Sequence, residues 1–283
     1  MEEAMSYVST FSISPMRRLE WIVVSVVLLC AFIVSCANAQ LSIEGGLTHE
    51  FVVQPGQTCS GQIVVTSNTG ARTEIEIIQT DYLFLADGRN AYGEPGSMAR
   101  SNASWIKLFL PLDTLAPGES LSIPYTIDVP DDPSLVGTYW SMVMAAAVPP
   151  PSEATAEGEV SIQQVIRYGI QIVTHIGDSG ERRIRIVNPQ LLRKDEGPVL
   201  QIDIENTGER WVRPVAWSEL YDEDGAPVGR FESFQQRIFP NCSVRYRFVL
   251  SEVPSGKYEV LVVFDNGDQY VWGAQYALDL RDL

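Results

Sequence analysis

His49 and His175 are the two side chains in this chain suited to moving a proton near neutral pH. Neither neighbours a G-x-S-x-G elbow or a plausible cysteine nucleophile, so neither reads as part of a catalytic triad. Four cysteines occur. Cys30 and Cys36 lie near the N-terminus, Cys59 and Cys242 in the body of the chain. No pair has metal or redox spacing, and Cys59 and Cys242 read as unpaired buried thiols in different domains. Asp222-Glu223-Asp224-Gly225 looks like a calcium loop. An EF-hand needs about a dozen residues with spaced ligands between helices. Here the segment joins two strand runs, so Asp224-Gly225 reads as a hairpin turn, as does Asn266-Gly267 within Asp265-Asn266-Gly267-Asp268. No catalytic residue, metal or cofactor is expected.

Two further features could bind sugars or carry them. Trp105, Trp140, Trp211, Trp217 and Trp272 lie in or beside strand runs, where an aromatic most often fills a sandwich core. Trp211, with Arg210 and Arg213 beside a turn, is the best candidate for an exposed contact. Asn102-Ala103-Ser104 and Asn241-Cys242-Ser243 are glycosylation sequons, relevant only in a eukaryotic secretory route. A carbohydrate-active enzyme is the weakest of the function classes weighed.

The elements that position these residues are strands. Leu121, Ile123, Tyr125, Ile127 and Val129 alternate with polar residues, a strict period of two. Ile75 and Ile77 alternate with Glu74 and Glu76 in the same way. Pro124 falls on the polar parity, which suits an edge or a place where its missing N–H is not needed. Residues 86–104 are rich in Gly, Asn, Asp and Pro and read as a long loop, and Pro149-Pro150-Pro151 opens another. No sustained helical period occurs after residue 40. Beyond Gly177-Asp178-Ser179-Gly180 a new series of short strands begins, with turn signals about every 8–12 residues, the signature of a sandwich. The expected architecture is all-β: two immunoglobulin-like β-sandwiches in tandem, residues 40–178 and 179–283, after an N-terminal signal segment.

That segment carries Arg17 and Arg18, an apolar run over residues 21–34, and Ala37-Asn38-Ala39, the order of a secretory signal spanning residues 1–39. The apolar run is short for a bilayer span, which needs about 20 residues. Ile33-Val34-Ser35-Cys36 resembles a bacterial lipobox, which would end the signal at residue 35 and lipidate Cys36. Both routes place the protein in the periplasm or cell envelope, soluble or lipid-anchored. The whole chain carries a net charge of −16. Glu2, Glu3 and Glu20 against Arg17 and Arg18 account for −1, leaving −15 after the signal. Such a field repels nucleic acid, so the expected partner is another secreted or surface protein.

Five segments follow one another in a telling order: Pro117-Gly118-Glu119-Ser120, Val129-Pro130, Gly137-Thr138-Tyr139-Trp140-Ser141-Met142-Val143, Pro149-Pro150, and Gln164-Val165-Ile166-Arg167-Tyr168-Gly169-Ile170-Gln171-Ile172. This order resembles periplasmic pilus-assembly chaperones of the PapD-like group, over about residues 41–280. The resemblance implies strand donation: a long last strand of the first sandwich, residues 160–176, pairs with an incomplete sandwich in a partner. Val165, Arg167, Tyr168, Ile170 and Ile172 are then the partner-binding residues, and a bulge near Arg167 reconciles their parity. It also implies two basic residues anchoring the partner's terminal carboxylate. Arg167 fits the last strand, whereas the first strand, residues 41–53, offers only His49. The expected function is an extracytoplasmic protein-binding module acting by edge-strand pairing, with a structural or adhesive envelope component as the alternative.

Overall fold

The computed structural model describes residues 40–109, 114–149 and 164–281. The signal segment, Cys36 and residues 150–163 lie outside them. Residues 40–283 form one compact unit. It contains two β-sandwiches and, among the described residues, no helix beyond a 3-10 turn at Ala103–Trp105.

The first sandwich uses β1 (Leu41–Glu44), β2 (Thr48–Val53), β3 (Thr58–Ser67), β4 (Thr73–Phe84), β5 (Asn90–Gly93), β6 (Ile106–Leu108), β7 (Thr114–Leu115), β8 (Ser120–Asp128), β9 (Gly137–Ala147) and β10 (Arg167–Ile176). One sheet has the order β1-β3-β8-β6, and the other β2-β10-β9-β4-β5 with β7 on β4. The alternation read from the sequence is realised in β8, where Leu121, Ile123, Tyr125 and Ile127 are buried in the core. Pro124 is not at an edge. Its C=O accepts from Phe109 N–H at 3.0 Å, so its missing N–H faces the point where β6 ends.

The second sandwich uses β11 (Ile184–Lys194), β12 (Gly197–Asn206), β13 (Val215–Tyr221), β14 (Pro227–Glu232), β15 (Ser243–Val249), β16 (Lys257–Asp265) and β17 (Val271–Asp279). Its sheets are β11-β12-β15 and β14-β13-β16-β17. The acidic turn at Asp222 is a hairpin: its carboxylate accepts from Asp224 and Ala226 N–H at 3.0 and 2.8 Å, and Gly225 takes φ 77°.

Three expectations change. The strand expected over residues 160–176 begins at Arg167, and Gln164, Val165 and Ile166 precede it without strand structure. Its register with β9 runs unbroken from Arg167↔Ala146 to Ile176↔Gly137, so no bulge is present near Arg167. The loop at residues 86–104 contains β5, which closes a hairpin on β4. The buried carboxylate of Asp81 then gathers the remainder, accepting from Gly96 N–H (3.2 Å), Met98 N–H (2.8 Å), Ser97 Oγ (3.4 Å) and Ser101 Oγ (2.5 Å). Asp81→Asn is expected to lower unfolding free energy by about 2 kcal/mol, because buried donors lose a charged acceptor. Chemical denaturation measures this, and an unchanged midpoint would refute the role given to Asp81.

The Asn102 sequon is closed to modification in the folded chain. Its buried amide donates to Ile172 C=O (3.1 Å) and Thr174 Oγ1 (2.8 Å) and accepts from Ser141 Oγ (2.7 Å). Cys59 and Cys242 are both free thiols, and burial pushes the Cys242 thiol up to about 12.

Candidate functional site

The two sandwiches share apolar packing. Trp140 on β9 and Val173 on β10 belong to the core cluster of the second sandwich. Trp140 stacks on Phe239 at 4.9 Å between ring centroids and donates Nε1–H to Tyr82 C=O at 2.9 Å. Phe84 meets Phe239 edge-on at 6.2 Å. Polar contacts tighten the junction: Thr138 N–H donates to Glu209 C=O at 2.8 Å, and Ala86 N–H to Ser243 Oγ at 2.8 Å. Gly137 is required there. It has φ 78°, and a Cβ would stand 2.1 Å from the Glu209 carbonyl oxygen.

A cluster of charge lies in the same junction. The His175 ring bonds Thr138 Oγ1 through Nδ1 at 3.0 Å, and its Nε2 lies 3.5 Å from Glu50. Glu50 also pairs with Arg237 at 2.5 Å, and Arg237 lies over the Trp211 ring at 4.7 Å. Burial first, and then the positive charge of Arg210, push the His175 pKa down to about 4 against the pull of Glu50.

Arg210, Trp211 and Arg213 do not form the exposed cluster expected from sequence. Arg210 is only 7% exposed. It donates to the carbonyls of Gly177 (3.0 Å) and Ser179 (2.9 Å) and so fastens the linker between β10 and β11. Trp211 is half-buried between His175, at 5.8 Å, and Arg237. Arg213 alone of the three is exposed.

Beside this junction opens a cleft of about 630 Å³. The first sandwich contributes Thr48, Gln171 and Phe84, and the second contributes Arg213, Arg237 and Arg245. Thr48 Oγ1 donates to Gln171 Oε1 at 3.3 Å, so the first sandwich offers neutral polar groups. Arg237 is engaged with Glu50 and Arg245 with Asp203 at 2.7 Å. Arg213 forms no ion pair among the described residues. Its guanidinium is the cleft cation left for an incoming anion. Sequence reasoning missed Thr48, Gln171, Arg237 and Arg245. Polar side chains on strands (Thr48, Gln171, Arg245) or in the segment between β14 and β15 (Arg237) carry no mark of facing a cleft that only the packing of two sandwiches creates.

The cleft meets an open strand edge. β2 runs parallel to β10 only from Thr48↔Gln171 to Val53↔Ile176. Gln171 N–H donates to Leu47 C=O at 2.9 Å, and the pairing stops there. Residues 167–170 therefore pair with β9 on one side, and among the described residues no strand pairs with them on the other. By parallel-ladder parity, Arg167 and Gly169 turn N–H and C=O toward that open side. Of the residues expected to touch a partner, Arg167 and Val165 are exposed and Tyr168 is half-buried. Ile170 and Ile172 are buried in the core of the first sandwich, so their side chains face inward.

No known family model matches this chain, and no curated protein matches it. Many solved structures do. A chaperone–tip adhesin complex of CFA/I fimbriae matches at 14% identity, covering 84% of this chain and 98% of that one, with a TM-score of 0.45. The DraB chaperone of E. coli matches at 14% identity over 85% and 98%, TM-score 0.40. The SafA pilin–SafB chaperone complex of Salmonella enterica matches at 13% identity over 86% and 99%, TM-score 0.40. The similarity to PapD-like fimbrial chaperones is thus a loose structural match at low sequence identity.

Proposed function

We propose that this chain is an exported, non-enzymatic protein-binding module that takes an extended strand of another surface or secreted protein along its β10 edge. The open backbone at residues 167–170, leading directly into the cleft at Thr48 and Gln171, carries this reading. A strand added there would bond to Arg167 and Gly169, and main-chain pairing of this kind gives affinity without demanding one sequence. Its end would enter the cleft, where Arg213 supplies a cation. The basic groups thus come from the second sandwich rather than from the first strand, which supplies none.

Arg167→Pro removes an outward N–H at the first residue of a strand, where proline is tolerated. It is expected to weaken capture of the co-purifying envelope protein about tenfold, with Arg213→Glu acting similarly and thermal stability unchanged. If both variants capture the same protein as well as the parent, the strand-pairing reading is wrong. A structural envelope component would then be the better account, with the shared packing of the two sandwiches serving as a stiff joint.

A further inference from the structure

Residues 41–53 carry one alternation. Leu41, Ile43, Leu47, Phe51 and Val53 occupy odd positions, with glycine at 45 and histidine at 49. Such a run suits a single continuous strand. The chain instead breaks it at Gly45 and Gly46, whose φ angles are 82° and 93°. This crossover takes the chain from the edge of one sheet, β1 on β3, to the edge of the other, β2 on β10. Nothing lies within 4 Å of a Cβ at either position, so the glycines serve the backbone turn and not a close approach.

The hold of β1 on β3 is small: four paired residues and the buried side chain of Leu41. Residues 44–48 are exposed. Carrying the register of β2 and β10 back past Thr48↔Gln171 sets Leu47 beside Ile170, Gly46 beside Gly169, Gly45 beside Tyr168 and Glu44 beside Arg167. Parity is kept. Leu47, 45% exposed on its own, falls on the inward side next to the buried Ile170. Glu44 falls on the face of Thr48, whose hydroxyl already meets Gln171 in this register, so its carboxylate comes beside the Arg167 guanidinium. Neither Glu44 nor Arg167 has an ion-pair partner among the described residues. The backbone groups match too. Leu47 C=O accepts from Gln171 N–H, so odd residues face β10. In the continued ladder Gly45 accepts from Gly169 N–H and donates to Arg167 C=O, and Ile43 accepts from Arg167 N–H.

We propose that residues 43–47 are a strap with two seats: on β3, the seat in this structure, and along β10, where it caps the edge at residues 167–170. The burial of Leu41 makes the β3 seat the populated one. Strap and incoming strand need the same N–H and C=O groups. The strap is therefore an intramolecular competitor that lowers the apparent affinity of a partner strand in proportion to its own occupancy. That consequence rests on β10 being the docking edge; the strap itself does not.

Gly45→Ala with Gly46→Ala strains the crossover, where positive φ disfavours a side chain, and leaves an extended strap unstrained. Amide exchange of the free chain reads the result. Asn68 N–H donates to Gln40 C=O at 2.9 Å, so Val64 and Thr66 are the β3 residues that bond to β1. The double variant is expected to slow exchange at Arg167 and Gly169 about tenfold and to speed it at Val64 and Thr66. Adding Glu44→Lys sets like charge beside Arg167 and is expected to reverse the slowing. Faster exchange at Val64 and Thr66 without slowing at Arg167 and Gly169 is fraying of β1 and overturns the strap, as does unchanged exchange at all four. Capture of the co-purifying envelope protein by the same variants is expected to fall and recover in step with the strap. If exchange shifts as described while capture stays constant, the strap stands and the docking reading fails.

Discussion

Trp140→Ala is expected to cost about 3–5 kcal/mol and to turn one unfolding transition into two. The indole is buried, stacks on Phe239 and is held by its bond to Tyr82 C=O. It lies on a strand of the first sandwich yet packs in the core of the second. Its removal opens a cavity in the apolar packing that crosses between them. What remains across the junction is the smaller apolar packing of Phe84 on Phe239 and of Val173 in the same core, with hydrogen bonds and ion pairs each worth about 1 kcal/mol or less. Calorimetry checks this: two resolved transitions are expected for the variant and one for the parent. A single transition of parental midpoint would show that Trp140 does not couple the sandwiches.

Acid is expected to loosen the same junction. His175 is held neutral, its pKa depressed to about 4 from an ordinary value near 6.5. It faces Glu50 from β2 and Thr138 from β9, with Arg210, Trp211 and Arg237 on the second-sandwich side. Because the folded pKa lies below the unfolded one, the stabilisation is full above pH 6.5 and is lost as pH falls from 6.5 toward 4. The difference corresponds to about 3 kcal/mol, since each pKa unit is about 1.4 kcal/mol. Carboxylates also titrate in this range, so the informative quantity is the difference between the parent and His175→Gln. The variant is expected to lose less stability between pH 7 and pH 4. Parallel stability profiles would refute the assignment.

The sandwich class was legible because burial on one face of a strand writes itself as alternation, as in the run from Leu121 to Ile127. Turn chemistry was equally legible at Asp224-Gly225, where one carboxylate and one glycine close the hairpin locally. What failed depended on partners far along the chain. Nothing in the sequence around Asp81 marks it for burial; it is buried because loop N–H groups and serines return to it. Arg210 and Trp211 beside a turn read as exposed, but the turn packs against the first sandwich and the linker carbonyls consume the guanidinium. The β10 boundary was misjudged because an apolar alternation does not say where the neighbouring strand stops. The open edge is defined by the end of β2 at Thr48, not by any residue of β10 itself.

The most direct test of the proposed site is backbone amide hydrogen exchange of the chain alone and bound to its co-purifying partner. Strand pairing along β10 predicts strong slowing at the Arg167 and Gly169 amides, with little change at Tyr168 and Ile170, which already bond to β9. Unchanged exchange at Arg167 and Gly169 in the saturated complex would contradict the account.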